Sequence, residues 1–190
     1  MKVLDLNGDG QVDLADRTII GNPNPDFVYG FNLSMSYKDL SIRALFNGTQ
    51  GNEIVNGNYY RFGWAEGSYR NILGEAWNDR WTADNPAGSY PRLGYSANLF
   101  GALMDRVIED GSYLRLKSIT LNYDIPVKNN NNFIQSANVY VTGNNLFTWT
   151  DYSGYDPEIT TFLWDGLLQG TDWNNKPNLK SVLFGVNLTF

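Results

Sequence analysis

Five acidic or amide side chains and one backbone carbonyl are spaced through "DLNGDGQVDLAD", residues 5 to 16, in the way a loop that wraps a hard cation spaces its oxygens. Asp5, Asn7, Asp9, the carbonyl of Gln11, Asp13 and Asp16 fall at loop positions 1, 3, 5, 7, 9 and 12, and Gly10 stands at position 6, where the chain must turn sharply. Without an ion, the four carboxylates of this set would repel one another. The spacing therefore predicts a structural Ca2+ that staples backbone. Asp16 replaces the usual glutamate at position 12 and has the shorter reach. The competing reading is an asparagine- and glycine-rich turn capped by its own aspartates.

Other chemistry is bounded by what the chain lacks. It has no histidine and no cysteine, so zinc, haem and imidazole-based catalysis lose their usual ligands and bases, and no disulfide framework exists. Lysine and arginine total 14 against 20 aspartates and glutamates, a net charge of -6, which argues against nucleic acid as a partner. Carboxylates do recur in loops, as Glu109 and Asp110, Asp156 and Glu158, and Asp165 and Asp172. Nothing in the sequence fixes a pair at the roughly 5 to 9 Å that glycoside hydrolysis requires. No catalytic residue is assigned, and the protein is not expected to be an enzyme. Tyr59, Tyr60, Trp64, Trp164 and Trp173 lie in polar stretches and are candidate substrate contacts, able to stack on a sugar or grip a peptide, or else to pack the loops together.

The elements that would position these residues read as strands. In "DFVYGFNLSMSY", residues 26 to 37, Phe27, Tyr29, Phe31, Leu33, Met35 and Tyr37 share one side, with small and polar residues opposite. "LSIRALFNGTQ" follows after Lys38 and Asp39 and completes a hairpin. Residues 110 to 126 alternate as well, but Leu114 and Leu116 are out of phase with Ile119, Leu121 and Tyr123, which points to a bulge near Lys117 or Ser118. Residues 137 to 150 and 181 to 190 form two further strands, the last with Val182, Phe184, Val186, Leu188 and Phe190 on one side. Two long irregular stretches, 50–105 and 151–180, separate them, and "NILGEAWNDRW" within the first has the spacing of a turn or two of helix. No run of apolar residues is long enough for a membrane helix, a test that does not reach membrane strands.

Several long phrases taken together, "DLNGDGQVDLADRTIIGNPNPDFVYGFNLSMSYKDLSI", "DRVIEDGSYLRLKSITLNYDIP", "VYVTGNNLFTWTDYSGYDPEI" and "FGVNLTF", closely resemble the C-terminal part of SusC/RagA-type TonB-linked outer-membrane proteins of Bacteroidota. The resemblance implies an all-β fold: the C-terminal segment of a 22-stranded antiparallel transmembrane β-barrel with long extracellular loops. Residues 1–25 would be an acidic calcium-type loop and lead-in. Residues 26–190 would be partial barrel, with strands near 26–37, 40–49, 106–126, 137–150 and 181–190. It further implies the cell outer membrane, active import of glycans or peptides, a SusD-like surface lipoprotein partner and the TonB system. No signal peptide, TonB box or plug is visible, so the sequence is expected to be a piece of a larger transporter. The alternative is a soluble, calcium-stabilised glycan-binding β-sandwich module.

Overall fold

A computed structural model describes residues 4–63, 71–93, 105–127, 133–158, 160–162 and 165–190. In chain order the strands are β1 (Phe27–Tyr37), β2 (Leu40–Gln50), β3 (Glu53–Asn56), β4 (Ile108–Asp110), β5 (Tyr113–Ile125), β6 (Ser136–Thr150), β7 (Thr171–Asp172) and β8 (Ser181–Thr189). Two short helices, α1 (Gly57–Phe62) and α2 (Gly74–Asn78), fall between β3 and β4. The chain divides into two compact units. One comprises Met1–Pro23, Glu53–Glu109 and Ile159–Asn175; the other comprises Asn24–Asn52, Asp110–Glu158 and Lys176–Phe190.

The second unit is a five-stranded antiparallel sheet of order β1-β2-β5-β6-β8. Its register sorts side chains into rows across the strands. Met35, Ile42, Leu121, Val141 and Phe184 form one apolar row, and Tyr37, Leu40, Tyr123, Val139 and Val186 form the next. On the opposite face, Ser34, Arg43, Thr120 and Thr142 make a polar row, and the two threonine hydroxyls lie 2.8 Å apart. A bulge holds this sorting together. Lys117 has no partner on β2 or β6, since Leu116 pairs with Phe46 and Phe147 while Ser118 pairs with Leu45 and Asn144. One extra residue flips the alternation once, so Leu114 and Leu116 rejoin Ile119, Leu121 and Tyr123 on the apolar face.

That apolar face is uncovered within the chain, with Phe184 77% and Tyr37 73% exposed. An apolar surface of this extent on a folded protein marks an interaction surface. The sheet itself is open. β1 and β8 are its edges, and no pairing joins them among the described residues. The expectation of a 22-stranded barrel with transmembrane β-strands is therefore corrected: the described residues form two sheets, of five and three strands, and neither closes on itself.

The first unit is built from short pieces. Its sheet has the order β4-β3-β7, with β3 parallel to β7. The Asn56 side chain caps α1 by accepting from the Tyr59 N–H at 2.9 Å, and Ile54 and Val107 are buried. The stretch 50–105, expected to be irregular apart from a turn or two of helix in residues 71–81, carries β3 and α1 as well as α2, which lies within that segment.

Gly48 shows how closely the sheet unit is fitted. The Tyr29 ring lies over it, so that the Tyr29 hydroxyl donates to the Tyr113 carbonyl at 3.0 Å; an added Cβ would come within 2.3 Å of that carbonyl oxygen and 2.6 Å of the ring. Gly48→Ala is expected to cost about 1–3 kcal/mol of stability through forced displacement, read by urea denaturation. An unchanged midpoint would show that the ring can swing away freely.

Candidate functional site

The acidic loop folds onto its own backbone. Asp5 accepts from the N–H groups of Gly8 and Gly10 at 2.6 and 2.7 Å, and Asp9 accepts from Gln11 at 2.8 Å. Asn7 accepts from the Asp9 N–H at 2.9 Å, and Asp13 caps a short 3-10 turn, Leu14–Asp16, by accepting from Ala15. Asp16 closes the loop by accepting from Asp13, Leu6 and Asn7, and these bonds, the one from Asp13 foremost, hold its carboxyl below the usual range. Gly8 and Gly10 take positive φ of 77° and 83°, as the two tight turns require. The expected Ca2+ is overturned. Among the described residues no group of three or more acidic, histidine or cysteine side chains is placed to hold a metal ion. The physical reason is that the carboxylates of Asp5, Asp9, Asp13 and Asp16 are spent on amides rather than gathered on a shared centre.

The candidate substrate aromatics meet different fates. Trp64 and Trp164 lie outside the described residues. Tyr59 is drawn into a network: its hydroxyl accepts from Arg106 Nε and Nη2 at 3.1 and 2.9 Å and bonds the Tyr90 hydroxyl. The Arg106 guanidinium lies 4.0 Å from the centre of the Tyr90 ring, and Tyr90 also donates to Glu75 at 2.9 Å. Burial, with the bonds to Tyr59 and Glu75, pushes the Tyr90 hydroxyl far up, so it stays a neutral donor. Tyr60 and Trp173 are brought together, their ring centres 5.9 Å apart and tilted at 42°. Gly57 permits this, since a Cβ there would sit 2.2 Å from the Trp173 ring. Beside them the Asn58 Oδ1 accepts from the Asn174 N–H at 3.1 Å, while its Nδ2 is buried with no hydrogen-bond partner among the described residues.

A fully buried cation sits in the sheet unit. Arg115, 2% exposed, occupies a row with Asn47 and Thr148 on the polar face of β5. Its Nη2 donates to Asp156, its Nη1 to Glu158 at 2.6 Å and its Nε to Thr148 at 3.0 Å. Lys117, freed by the bulge, donates to both Glu158 oxygens at 3.1 Å. Asp156 also accepts from the backbone N–H groups of Glu158 and Asn178, at 3.0 and 2.9 Å. Burial raises the Asp156 carboxyl, but the bonds from Arg115, Asn178 and Glu158 outweigh it and leave the group below the ordinary range. Burial and the Glu158 charge push the neighbouring Tyr113 hydroxyl up to about 12. Sequence reasoning noticed Asp156 and Glu158 only as loop carboxylates and missed Arg115. The available signal was an arginine flanked by leucines in "YLRLKS".

Comparison with known proteins assigns the class. No protein-family model matches the chain. It is 36% identical over 193 residues to TonB-dependent receptor P26 of Formosa agariphila, covering 100% of this chain and 19% of that protein. It is 33% identical to TonB-dependent receptor P3 of the same organism, covering 98% of this chain and 18% of the relative. Among solved structures, the RagAB peptide transporter matches 90% of the chain with a TM-score of 0.76 at 31% identity, and the match covers 18% of that structure's chain. Homology along the chain supports membership in the SusC/RagA family of TonB-dependent receptors. The chain spans about a fifth of the length of the relatives it matches.

Arg115→Met would strand two carboxylates around an apolar side chain, and a loss of about 3–5 kcal/mol in stability is expected by chemical denaturation. Because the Asp156 pKa is depressed in the folded state, its contribution is present above the ordinary value of 3.8 and is lost as pH falls through the lower folded value. Asp156→Asn should flatten that acid limb; an unaltered limb would remove Asp156 from the acid response. Adding calcium or a chelator is expected to leave the melting temperature unchanged, whereas a calcium-dependent rise would restore the metal loop.

Proposed function

We propose that this chain is part of an outer-membrane, TonB-linked active transporter that imports oligosaccharides or peptides together with a SusD-like surface lipoprotein. The carrying observation is whole-chain identity of 36% to a TonB-dependent receptor. The likeness to the RagAB peptide transporter, at a TM-score of 0.76, supports the same reading. The matched phrases and their order support placing the chain in the C-terminal part of such a protein, energised by the TonB system through a part that precedes it. The role is transport without covalent chemistry.

Within this reading Tyr60 and Trp173 are the substrate contacts, with the Asn58 amide beside them. Their tilted rings offer an apolar surface on which a sugar ring or an apolar side chain of the cargo would lie. Tyr59 supports them from its network with Arg106 and Tyr90.

The test uses the full-length protein in its host. It should fractionate with the outer membrane and co-purify with a surface lipoprotein, and its deletion should abolish growth on the imported substrate. Alanine at both Tyr60 and Trp173 should lower uptake several-fold with the amount in the outer membrane unchanged. Recovery in a soluble fraction, with growth unaffected by deletion, would refute the transport reading.

A further inference from the structure

Asn7–Gly8 and Asp9–Gly10 stand in tandem in the acidic loop. Such pairs rearrange readily, because a glycine has no Cβ to keep its backbone nitrogen from the preceding side-chain Cγ. At Asn–Gly the N–Cγ bond forms, the Cγ–Nδ2 bond breaks, and ammonia leaves with the amide proton. At Asp–Gly the carboxyl hydroxyl leaves with that proton as water. Solvent water then opens the cyclic imide at either carbonyl, giving aspartate or isoaspartate.

In the folded loop a single side chain holds both attacking nitrogens. Asp5 Oδ1 accepts from the Gly8 N–H at 2.6 Å and Asp5 Oδ2 from the Gly10 N–H at 2.7 Å. The groups to be attacked are held as well: Asn7 Oδ1 accepts from the Asp9 N–H at 2.9 Å, and Asp9 Oδ1 from the Gln11 N–H at 2.8 Å. Either nitrogen must therefore leave a charge-assisted hydrogen bond before it can attack.

Asp165–Gly166 is a matched contrast in the same molecule. Asp165 Oδ1 accepts from the Leu167 N–H at 2.9 Å, just as Asp9 accepts from Gln11. The Gly166 N–H, however, has no hydrogen-bond acceptor among the described residues, and Gly166 is exposed. The remaining pairs are closed. Gly111, which follows Asp110, donates to the Asn52 carbonyl at 2.8 Å; Asn47–Gly48 lies inside β2; and the Asn56 side chain is tied to both Tyr59 and Glu109.

We propose that Asp5 is a chemical guard of the loop, its one carboxylate blocking imide formation at Asn7 and Asp9, and that Asp165 is a site of slow isoaspartate formation. Isoaspartate would add a methylene to the loop backbone, and deamidation of Asn7 would set a further negative charge among Asp5, Asp9, Asp13 and Asp16. Neither product keeps the present match of side chains to amides. Neither role depends on what the chain transports.

The purified full-length protein, aged at neutral pH and digested, is mapped for isoaspartate by electron-transfer mass spectrometry beside an unstructured synthetic peptide of residues 5 to 16. In the protein Asn7 and Asp9 should convert about tenfold more slowly than in the peptide, the factor expected when a charge-assisted hydrogen bond must break first. Asp165 should accumulate isoaspartate ahead of Asp9. Asp5→Ala should speed conversion of Asn7 and Asp9 by about tenfold and leave Asp165 unchanged. Conversion of Asn7 and Asp9 at the peptide's rate overturns the guard, as does an unchanged or slower rate in Asp5→Ala. Isoaspartate at Asp9 before Asp165 overturns the assignment of Asp165. The comparison of protein with peptide needs no variant, so it decides even where Asp5→Ala unfolds the loop.

Discussion

The guanidinium of Arg115 is the charge on which the sheet unit turns. Buried in a strand, it would be prohibitive alone, and it is tolerated because its N–H groups end on Asp156, Glu158 and Thr148. Its two carboxylates come from just after β6, while Asn178, which donates to Asp156, stands just before β8. One arginine therefore draws the segment after β6 and the segment before β8 together on the polar side of the sheet. A neutral side chain of the same length could fill the space, but it could not specify which two carboxylates must arrive there. The planar fork of arginine does that, and lysine in its place would not.

This hub depends on a local irregularity. The bulge at Lys117 resets the alternation of β5, so that Arg115 can face the polar side while leucines before and after it remain in the apolar rows. It also releases Lys117, whose ammonium joins Glu158. Across the same discontinuity β6 skips Asn145 and Leu146, and Asn145 takes its left-handed backbone there. The hub and the left-handed turn at Asn145 are consequently two products of a single change of register. A regular ladder would have given neither, and would have put Leu114 and Leu116 on the face opposite Ile119, Leu121 and Tyr123.

The sheet was largely legible in the sequence because period-two patterning is local. Residues 26 to 37 alternate without interruption, and the structure has β1 at Phe27–Tyr37. The phase slip between Leu116 and Ile119 is visible in the same way. What the sequence did not carry was closure and convergence. Whether β1 meets β8 is a long-range matter that alternation leaves open, and the barrel followed from family likeness rather than from pairing. The acidic loop misled for a related reason: its spacing suits a cation and equally suits side chains that bond amides two or three residues away, which is where Asp5, Asp9 and Asp13 go. The pairing of Tyr60 with Trp173 joins residues far apart in the chain through Gly57, and no periodicity records it.

These observations separate positioning from recognition along the chain. Strands β2, β5 and β6 carry the long hydrogen-bonded ladders, and their side chains are mostly satisfied by neighbours in register. Among the described residues Asn47 Oδ1 within the β2 ladder, Asn58 Nδ2 in a helix of six residues and Asn145 Oδ1 at a bulge are buried without a hydrogen-bond partner. Burial without a partner is costly in water, so such groups persist where the surrounding backbone leaves them no alternative. In the first unit Asn58 is held by Asn174, and in the second Asn145 is held by the Leu179 carbonyl. Each amide thus has one end anchored and the other enclosed, a local cost that the packing around it must offset.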